Sequence, residues 1–189
     1  TKLLVTLRYG NYQTYTDEIF EDVPSSAWYY NYICTAYEEK ILEEEQGDKF
    51  RPSDLITREE MVVMIVKSLD LSGGRASFGD INSRHEHYKE ICAAVNSGII
   101  TGYEDGTFRP QNNMTRAEAC TVVARLLEAE KNIAGSSAFS DVAPDAWFAK
   151  YIGFCESKGL LKSYSGNFLP NQPITRSEFS ELVYLTGLA

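Results

Sequence analysis

The stretch TRAEACTVVARLLE (residues 115–128) carries the start and the apolar face of a helix. Thr115 and Glu118 have the spacing of a capping box, in which a hydroxyl and a carboxylate bind free N–H groups at the helix start. Apolar residues then recur at helical spacing, which predicts a helix with one buried face. Arg116 is not explained in this way, because a cation at the first helical position meets the positive end of the helix dipole.

The same motif occurs three times in the chain. Variants of it stand at residues 57–60 (TREE) and 175–178 (TRSE), so that three Arg lie about 60 residues apart: Arg58, Arg116 and Arg176. A second motif, Phe-x-Asp-Val/Ile, recurs with the same period and contains Asp22, Asp80 and Asp141. A third motif, Phe-x-Pro, stands at residues 50–52, 108–110 and 168–170. Three landmarks in a constant order indicate three tandem copies of one unit.

Each copy is predicted to consist of two helices joined by a turn-rich loop. In the third copy the first helix is predicted to run from about Asp145 to Ser157 and to stop near Lys158-Gly159. The loop of the second copy, TGYEDGTFRP (101–110), contains Asp105-Gly106, which favours a turn. The second helix is predicted to begin at the Thr of the Thr-Arg-x-Glu motif.

The domain organisation follows from the copies and the segments between them. The copies are predicted at residues 20–71, 78–131 and 139–189, with Gly-, Ser- and Ala-rich linkers at 71–77 and 132–138. Residues 1–19 lie outside the repeat and favour either a short β-hairpin or the end of a preceding domain. A helical hairpin of this size cannot bury its own apolar face, so we expect one mainly all-α assembly with approximate threefold symmetry. A linear solenoid is the alternative.

The three Arg side chains require a negative partner, and two partners fit the sequence. One is an internal carboxylate, most simply Asp22, Asp80 or Asp141. The other is an external carboxylate or phosphate, held by the Arg side chain together with the free N–H groups of the helix start. The sequence leaves both open, and the Asp could instead cap the first helix or accept a sugar hydroxyl.

Charge and composition exclude several classes of function. The net charge is −9 and the pI is about 4.8, which argues against binding of nucleic acid or an anionic membrane. Any anionic ligand must therefore be held by local cations. No apolar run reaches the roughly 18 to 20 residues of a membrane span, so membrane insertion is not expected.

The sequence offers little for catalysis or metal binding. The two His, His85 and His87, suggest no catalytic triad and make a weak metal site by themselves. No two of the four Cys form a CxxC pair, which argues against the usual zinc and thioredoxin sites. We therefore expect no catalytic residue, cofactor or metal. Cys34 and Cys92 occupy equivalent repeat positions, and a disulfide between them requires that those positions face each other.

Aromatic residues supply the remaining candidates for binding. Trp28 and Trp147 each stand six residues after the repeated Asp. A Trp on a helix face is more often a core residue than a binding platform, so core packing is the favoured interpretation of both. Tyr103 and Tyr164 are predicted in loops, where an exposed ring could stack on a sugar.

Together these motifs resemble the S-layer homology domain family. The resemblance rests on Phe-x-Asp-Val, then Trp and Tyr-Ile, then GIITGYEDGTFRP (98–110) and TRAE (115–118), and it covers residues 20 to about 188. It implies a three-pronged pseudo-trimer whose grooves bind secondary cell-wall polysaccharide, often through a pyruvate ketal on N-acetylmannosamine. The chain is then expected to be a non-catalytic anchor on the bacterial cell surface, attached to a cargo domain outside this segment.

The resemblance also implies binding residues. They are the three motif Arg, the three motif Asp and the loop residues Gly102 and Tyr103. The loops differ, because Glu44-Glu45 and Ser163-Tyr164 stand where the second copy has Gly102-Tyr103. We therefore expect unequal grooves, and the intact second copy ranks Arg116→Ala as the most damaging change. The alternative is a structural or protein-interaction module whose sugar sites have decayed.

Overall fold

The computed structural model of the chain describes residues 19–38, 40–42, 49–127 and 136–186. The predicted N-terminal hairpin and Glu44-Glu45 lie outside these residues. Within them the chain forms six helices and only isolated β-bridges, which confirms the mainly α-helical prediction. The helices are α1 (Tyr30–Glu38), α2 (Arg58–Leu69), α3 (Tyr88–Asn96), α4 (Arg116–Leu126), α5 (Ala149–Ser157) and α6 (Arg176–Leu185).

The second helix of each copy begins as predicted. In α4 the N–H of Glu118 donates to the Thr115 hydroxyl at 3.2 Å, and the N–H of Thr115 donates to Oε2 of Glu118 at 2.9 Å. The helices α2 and α6 begin with the same reciprocal capping box. Each N-cap contributes about 1 kcal/mol, so these Thr and Glu are explained by helix formation.

The first helix of copy 3 begins later than predicted. Helix α5 starts at Ala149, not near Asp145. Before it the chain makes two successive turns, closed by hydrogen bonds from Ala146 N to Ala143 O (3.0 Å) and from Ala149 N to Ala146 O (2.9 Å). Pro144 takes the second position of the first turn, which its fixed φ favours. As a result Trp147 lies in a turn and not on a helix face.

Helices pair between copies. Helix α2 of copy 1 packs against α3 of copy 2, and α4 of copy 2 packs against α5 of copy 3. Helix α6 of copy 3 packs against α1 of copy 1, which brings the first and last copies together. A linear solenoid would separate α1 from α6, so this contact favours a closed arrangement. The three-pronged outline of the assembly stays a prediction.

A ring of backbone hydrogen bonds joins the three copies just before their second helices. Ile56 N donates to Ile174 O at 3.1 Å, Ile174 N to Met114 O at 2.9 Å, and Met114 N to Ile56 O at 3.1 Å. All three side chains are buried, with at most 1% of their surface exposed. Because each copy donates to one neighbour and accepts from the other, the contacts repeat with threefold order.

Candidate functional site

Three equivalent junctions surround this ring, each where a second helix begins against the Phe-x-Pro turn of another copy. At α4, Arg116 N donates to Gln172 O and Ala117 N donates to Pro170 O, both at 2.9 Å. The first two N–H groups of α2 and α6 are bound in the same way to backbone carbonyls of residues 110 and 112 and of residues 52 and 54. The helix starts therefore have no free N–H for an external anion, and that part of the prediction is wrong.

The repeated Asp holds the Phe-x-Pro turn of its own copy. In copy 2, Asp80 accepts hydrogen bonds from the N–H of Phe108 (2.8 Å) and of Arg109 (2.6 Å). Arg109 has a φ of +58°, a left-handed conformation that costs a non-Gly residue roughly 1 kcal/mol. Asp22 and Asp141 make the same pair of bonds. Both carboxylate oxygens are thus used locally, so the interpretation as an Arg–Asp pair is wrong.

These bonds predict acid sensitivity. Partial burial disfavours ionisation of Asp80, but the two backbone N–H groups outweigh it and lower its pKa, as they do for Asp141. A lowered pKa gives stability that is present above the unfolded value of about 3.9 and lost as the pH falls through the folded pKa. We expect Asp80→Asn to reduce stability at pH 7 by no more than about 1 kcal/mol, because the carboxylate is exposed and screened.

The measurement is a series of thermal melts between pH 2 and pH 7. The difference between wild type and Asp80→Asn should shrink at the acid end, because protonation removes the same negative charge from the wild type. A difference that stays constant over this range would contradict the role assigned to the ionised Asp80.

Two of the three motif Arg are paired with the capping-box Glu of the next copy. Arg116 Nη2 lies 2.8 Å from Oε1 of Glu178, and Arg176 Nη1 lies 2.8 Å from Oε1 of Glu60. The Oε2 atoms of Glu178 and Glu60 accept from the Thr of their own helix start, so each carboxylate has two functions. An internal Glu, not the Asp, therefore compensates these two cations.

Arg58 lacks such a partner. Oε1 of Glu118, the equivalent Glu, instead accepts a hydrogen bond from the Tyr103 hydroxyl at 3.2 Å. Arg58 Nη2 donates to the Thr101 carbonyl, and its guanidinium lies 4.9 Å from the ring centre of Tyr103 and 4.7 Å from that of Phe108. No carboxylate in the described part of the chain forms a salt bridge with Arg58.

The environment of Arg58 makes this uncompensated charge costly. The residue is 5% exposed, and its Nε is buried with no hydrogen-bond partner. Burial lowers the pKa of the guanidinium, whereas Tyr103 and the more distant Glu118 raise it. A buried cation without a bound carboxylate is destabilised, so Arg58 still requires a negative partner beyond the described salt bridges.

The Arg58 guanidinium lines an open cavity of about 200 Å³ at the junction of copies 1 and 2. Sites that enclose a whole small molecule usually measure about 300 to 1,000 Å³, so this cavity suits one substituent or ring of a larger ligand. Its polar and aromatic lining comes from all three copies and comprises Arg58, Thr101, Tyr103, Glu118, Thr121, Arg125 and Trp147.

Several predicted binding residues meet in this cavity. Gly102, Tyr103 and Trp147 lie in it together with Arg58. Gly102 also has a packing role, because a Cβ there would lie 2.3 Å from the Phe78 ring. Trp147 is 60% exposed and Trp28 is 54% exposed, so the interpretation of these side chains as core residues is wrong.

The Arg116 junction differs in charge from the Arg58 cavity. The guanidinium of Arg116 lies 4.9 Å from the ring centre of the predicted residue Tyr164, but it is already paired with Glu178. A further carboxylate, Glu181, accepts a hydrogen bond from Ser163 of the same loop at 3.1 Å, and burial raises its pKa. Copy 2 has Thr121 in place of Glu181, so the Arg58 cavity carries less negative charge.

Sequence reasoning missed two features of the site. The first is the second interaction made by Glu60, Glu118 and Glu178. It was missed because the capping box alone was enough to explain why these Glu are present. The sequence did contain a clue to this interaction, because a capping box uses only one oxygen of the Glu carboxylate and leaves the other free to bind a cation. The second is Arg125 in the Arg58 cavity. The equivalent residues are Lys67 and Leu185, so no repeat pattern marks it.

The described residues offer neither a metal-binding cluster nor a membrane-spanning helix. Residues 19–38, 40–42, 49–127 and 136–186 contain no cluster of three or more His, Cys, Asp or Glu that could hold a metal ion. His85 instead lies 3.3 Å from Oε2 of Glu59. None of the six helices has the length and apolarity needed to cross a membrane.

Comparison with known proteins gives relatives that are much longer than this chain. An endoglucanase of Bacillus sp. (strain KSM-635) is 28% identical over 174 residues, which cover 87% of this chain and 18% of the endoglucanase. Cell surface glycoprotein 1 of Acetivibrio thermocellus is 47% identical over 87 residues, which cover 44% of this chain and 4% of the glycoprotein. The cellulosome-anchoring protein of Acetivibrio thermocellus is 39% identical over 90 residues, which cover 46% of this chain and 20% of that protein. The chain therefore corresponds to a fifth or less of each relative.

A family profile matches most of the chain. The profile of the S-layer homology domain matches residues 19–62, 77–120 and 138–180. The three matches coincide with the three copies of Phe-x-Asp-Val and Thr-Arg-x-Glu, and each includes one first helix and the start of one second helix. The chain belongs to the S-layer homology domain family, as three tandem domains that form a bacterial cell-surface anchoring module.

Proposed function

We propose that this chain is a non-catalytic module that binds secondary cell-wall polysaccharide through an acidic substituent, such as a pyruvate ketal, and thereby tethers an attached protein to the wall. The observation that carries the proposal is that buried Arg58 has no salt bridge to a carboxylate among the described residues, yet lines an open cavity together with Trp147. A carboxylate on a sugar would supply the missing charge, and the exposed Trp147 offers a ring on which the sugar could stack.

The proposal gives the three junctions unequal roles. Arg116 and Arg176 already have internal carboxylates, so an anionic ligand there would have to displace Glu178 or Glu60. At the Arg58 cavity an anion displaces no described salt bridge of Arg58, and Arg125 also lies in the lining. Arg58, Tyr103 and Trp147 are therefore proposed as the principal binding residues. Arg116, Arg176, Tyr164 and Trp28 are proposed as weaker contributors.

A structural or protein-interaction module is the second candidate, and one observation favours it. The two Arg–Glu pairs link different copies, so the motif Arg contributes to assembly at two of the three junctions. Under this candidate the Arg58 junction would have lost the third Arg–Glu pair, and its cavity would bind no ligand. The two candidates differ in whether an acidic wall polymer binds the isolated chain.

Calorimetric titration of the chain with purified pyruvylated wall polymer tests the proposal. We expect binding of the intact polymer and a loss of at least about 10-fold in affinity after mild acid hydrolysis removes the ketal, because charge-assisted hydrogen bonds contribute roughly 1.5 to 3 kcal/mol. The hydrolysed polymer is the matched control, since its backbone sugars are unchanged.

Each other outcome has a defined meaning. Equal affinity for both polymers would show that the acidic substituent is not recognised. Failure of both polymers to bind a folded chain would refute wall-polymer binding and favour the structural module.

A further inference from the structure

Two buried cysteines from different copies meet where α4 packs against α5. Cys120 lies in α4 of copy 2 and Cys155 lies in α5 of copy 3. Sγ of Cys155 is 3.6 Å from the carbonyl oxygen of Cys120, and neither residue has exposed surface. Both sulfurs are therefore enclosed in the contact between the second and third copies.

The other two helix pairs have buried residues at the equivalent positions. At the positions of Cys120 and Cys155, the α2–α3 pair has Val62 and Ala94, which are 1% and 0% exposed. The α6–α1 pair has Ser180 and Ala36 there, and both are buried. Cysteine thus occupies both positions in only one of the three helix pairs, and there the two side chains lie in the same contact.

The remaining cysteines have no such arrangement. Cys34 and Cys92 are equivalent to each other, but α1 packs against α6 whereas α3 packs against α2. They therefore belong to different helix pairs, and the disulfide considered between them does not fit the fold. Their separation makes them internal controls for the chemistry of the other two.

We propose that Cys120 and Cys155 form a disulfide that crosslinks the second and third S-layer homology domains at the cell surface. The reaction joins the two sulfurs and releases two protons and two electrons, which reduce an external disulfide, of a small molecule or an oxidoreductase, to two thiols. Surface proteins reside where such oxidation persists. The inference is independent of carbohydrate binding.

Burial determines when the bond can form. In the reduced, folded chain the neighbouring Cys155 thiol and burial raise the pKa of Cys120, which disfavours the thiolate required for exchange. Oxidation should therefore occur during folding, before α4 and α5 close on each other. The finished bond would be shielded from reductants in the folded protein.

The test is refolding of the 189-residue chain in a buffer of oxidised and reduced glutathione, followed by alkylation in denaturant and peptide mass spectrometry. We expect a peptide pair joined through Cys120 and Cys155, with alkylated Cys34 and Cys92. The oxidised chain should melt about 10 °C above the reduced chain, because the bond closes a long loop in the unfolded state.

The matched control is the double variant Cys120→Val/Cys155→Ala, which takes the residues of the α2–α3 pair. Its melting temperature should be the same after oxidising and reducing refolding. The proposal is overturned by four alkylated thiols after oxidative refolding, by any other pairing, or by an oxidation-dependent shift that persists in the double variant.

Discussion

Arg58→Ala is expected to weaken binding of pyruvylated wall polymer roughly 100-fold, a larger loss than that caused by either other motif Arg. Truncation of a buried partner of a charged contact costs about 2 to 5 kcal/mol, which corresponds to at least about 30-fold in affinity. Arg116→Ala and Arg176→Ala should each cost less than about 5-fold, because their guanidinium groups are already paired with Glu178 and Glu60. Calorimetric titration of the three variants gives the ranking.

This ranking replaces the one expected from sequence, which placed Arg116 first because its copy is the most intact. The intact loop of copy 2, with Gly102 and Tyr103, lies against Arg58 of copy 1. The proposed binding site is therefore formed by the Arg of one copy and the loop of the next copy. The sequence comparison assigned the loop and the Arg of one copy to the same site.

Arg58→Lys is the matched control for this prediction. It keeps the positive charge but loses the planar fork that binds a carboxylate in two places, so an intermediate affinity is expected. Far-ultraviolet circular dichroism should show the same helix content in all variants. Equal losses for the three Arg→Ala changes, or a largest loss for Arg116→Ala, would contradict the assignment of Arg58 as the principal residue.

Glu178→Gln is expected to destabilise the fold by about 2 kcal/mol, less than the roughly 3 to 5 kcal/mol for a fully buried ion pair, because both side chains retain some exposure. The change leaves Arg116 without its carboxylate, whereas a capping box accepts Gln in place of Glu. A loss of this size lowers the melting temperature by about 4 to 8 °C in a chain of this length. Thermal melts at neutral pH provide the measurement.

Glu118→Gln makes the same change where no salt bridge exists. Its Oε1 accepts from the neutral Tyr103 hydroxyl, which an amide oxygen also accepts, so a loss below about 1 kcal/mol is expected. The double variant Arg116→Ala/Glu178→Gln should recover part of the loss, because no uncompensated buried cation remains. If Glu118→Gln and Glu178→Gln destabilise the chain equally, the Arg116–Glu178 pair contributes nothing beyond the cap.

Local chemistry explains which features were predictable from sequence. Thr115 and Glu118 start a helix because their side chains reach N–H donors within three residues. Gly159 follows the end of α5 because it readily adopts the positive φ of +72° found there. The mainly α-helical class follows from the same short-range periodicity. The late start of α5 was missed because residues 143–149 form two successive turns, whose hydrogen bonds span three residues as a first helical turn would.

The partners of the charged groups could not be predicted, because they lie far away along the chain, and those of the motif Arg lie in other copies. Asp80 is bound by backbone N–H groups 28 and 29 residues away, and Arg116 pairs with a Glu 62 residues away. Three copies offer nearly identical candidates for each contact. Only the packing of α2 on α3, α4 on α5 and α6 on α1 selects among them.

The sequence by itself determined that this protein has three tandem helical copies, that each second helix begins at a capping box, and that three Arg need anions. These properties depend on periodicity and on contacts within a few residues. Tertiary structure alone decided that two of those anions are the protein's own Glu178 and Glu60, and that Arg58 forms no salt bridge within the described residues. The physical reason is that charge compensation depends on distances between side chains from different copies, and folding fixes those distances.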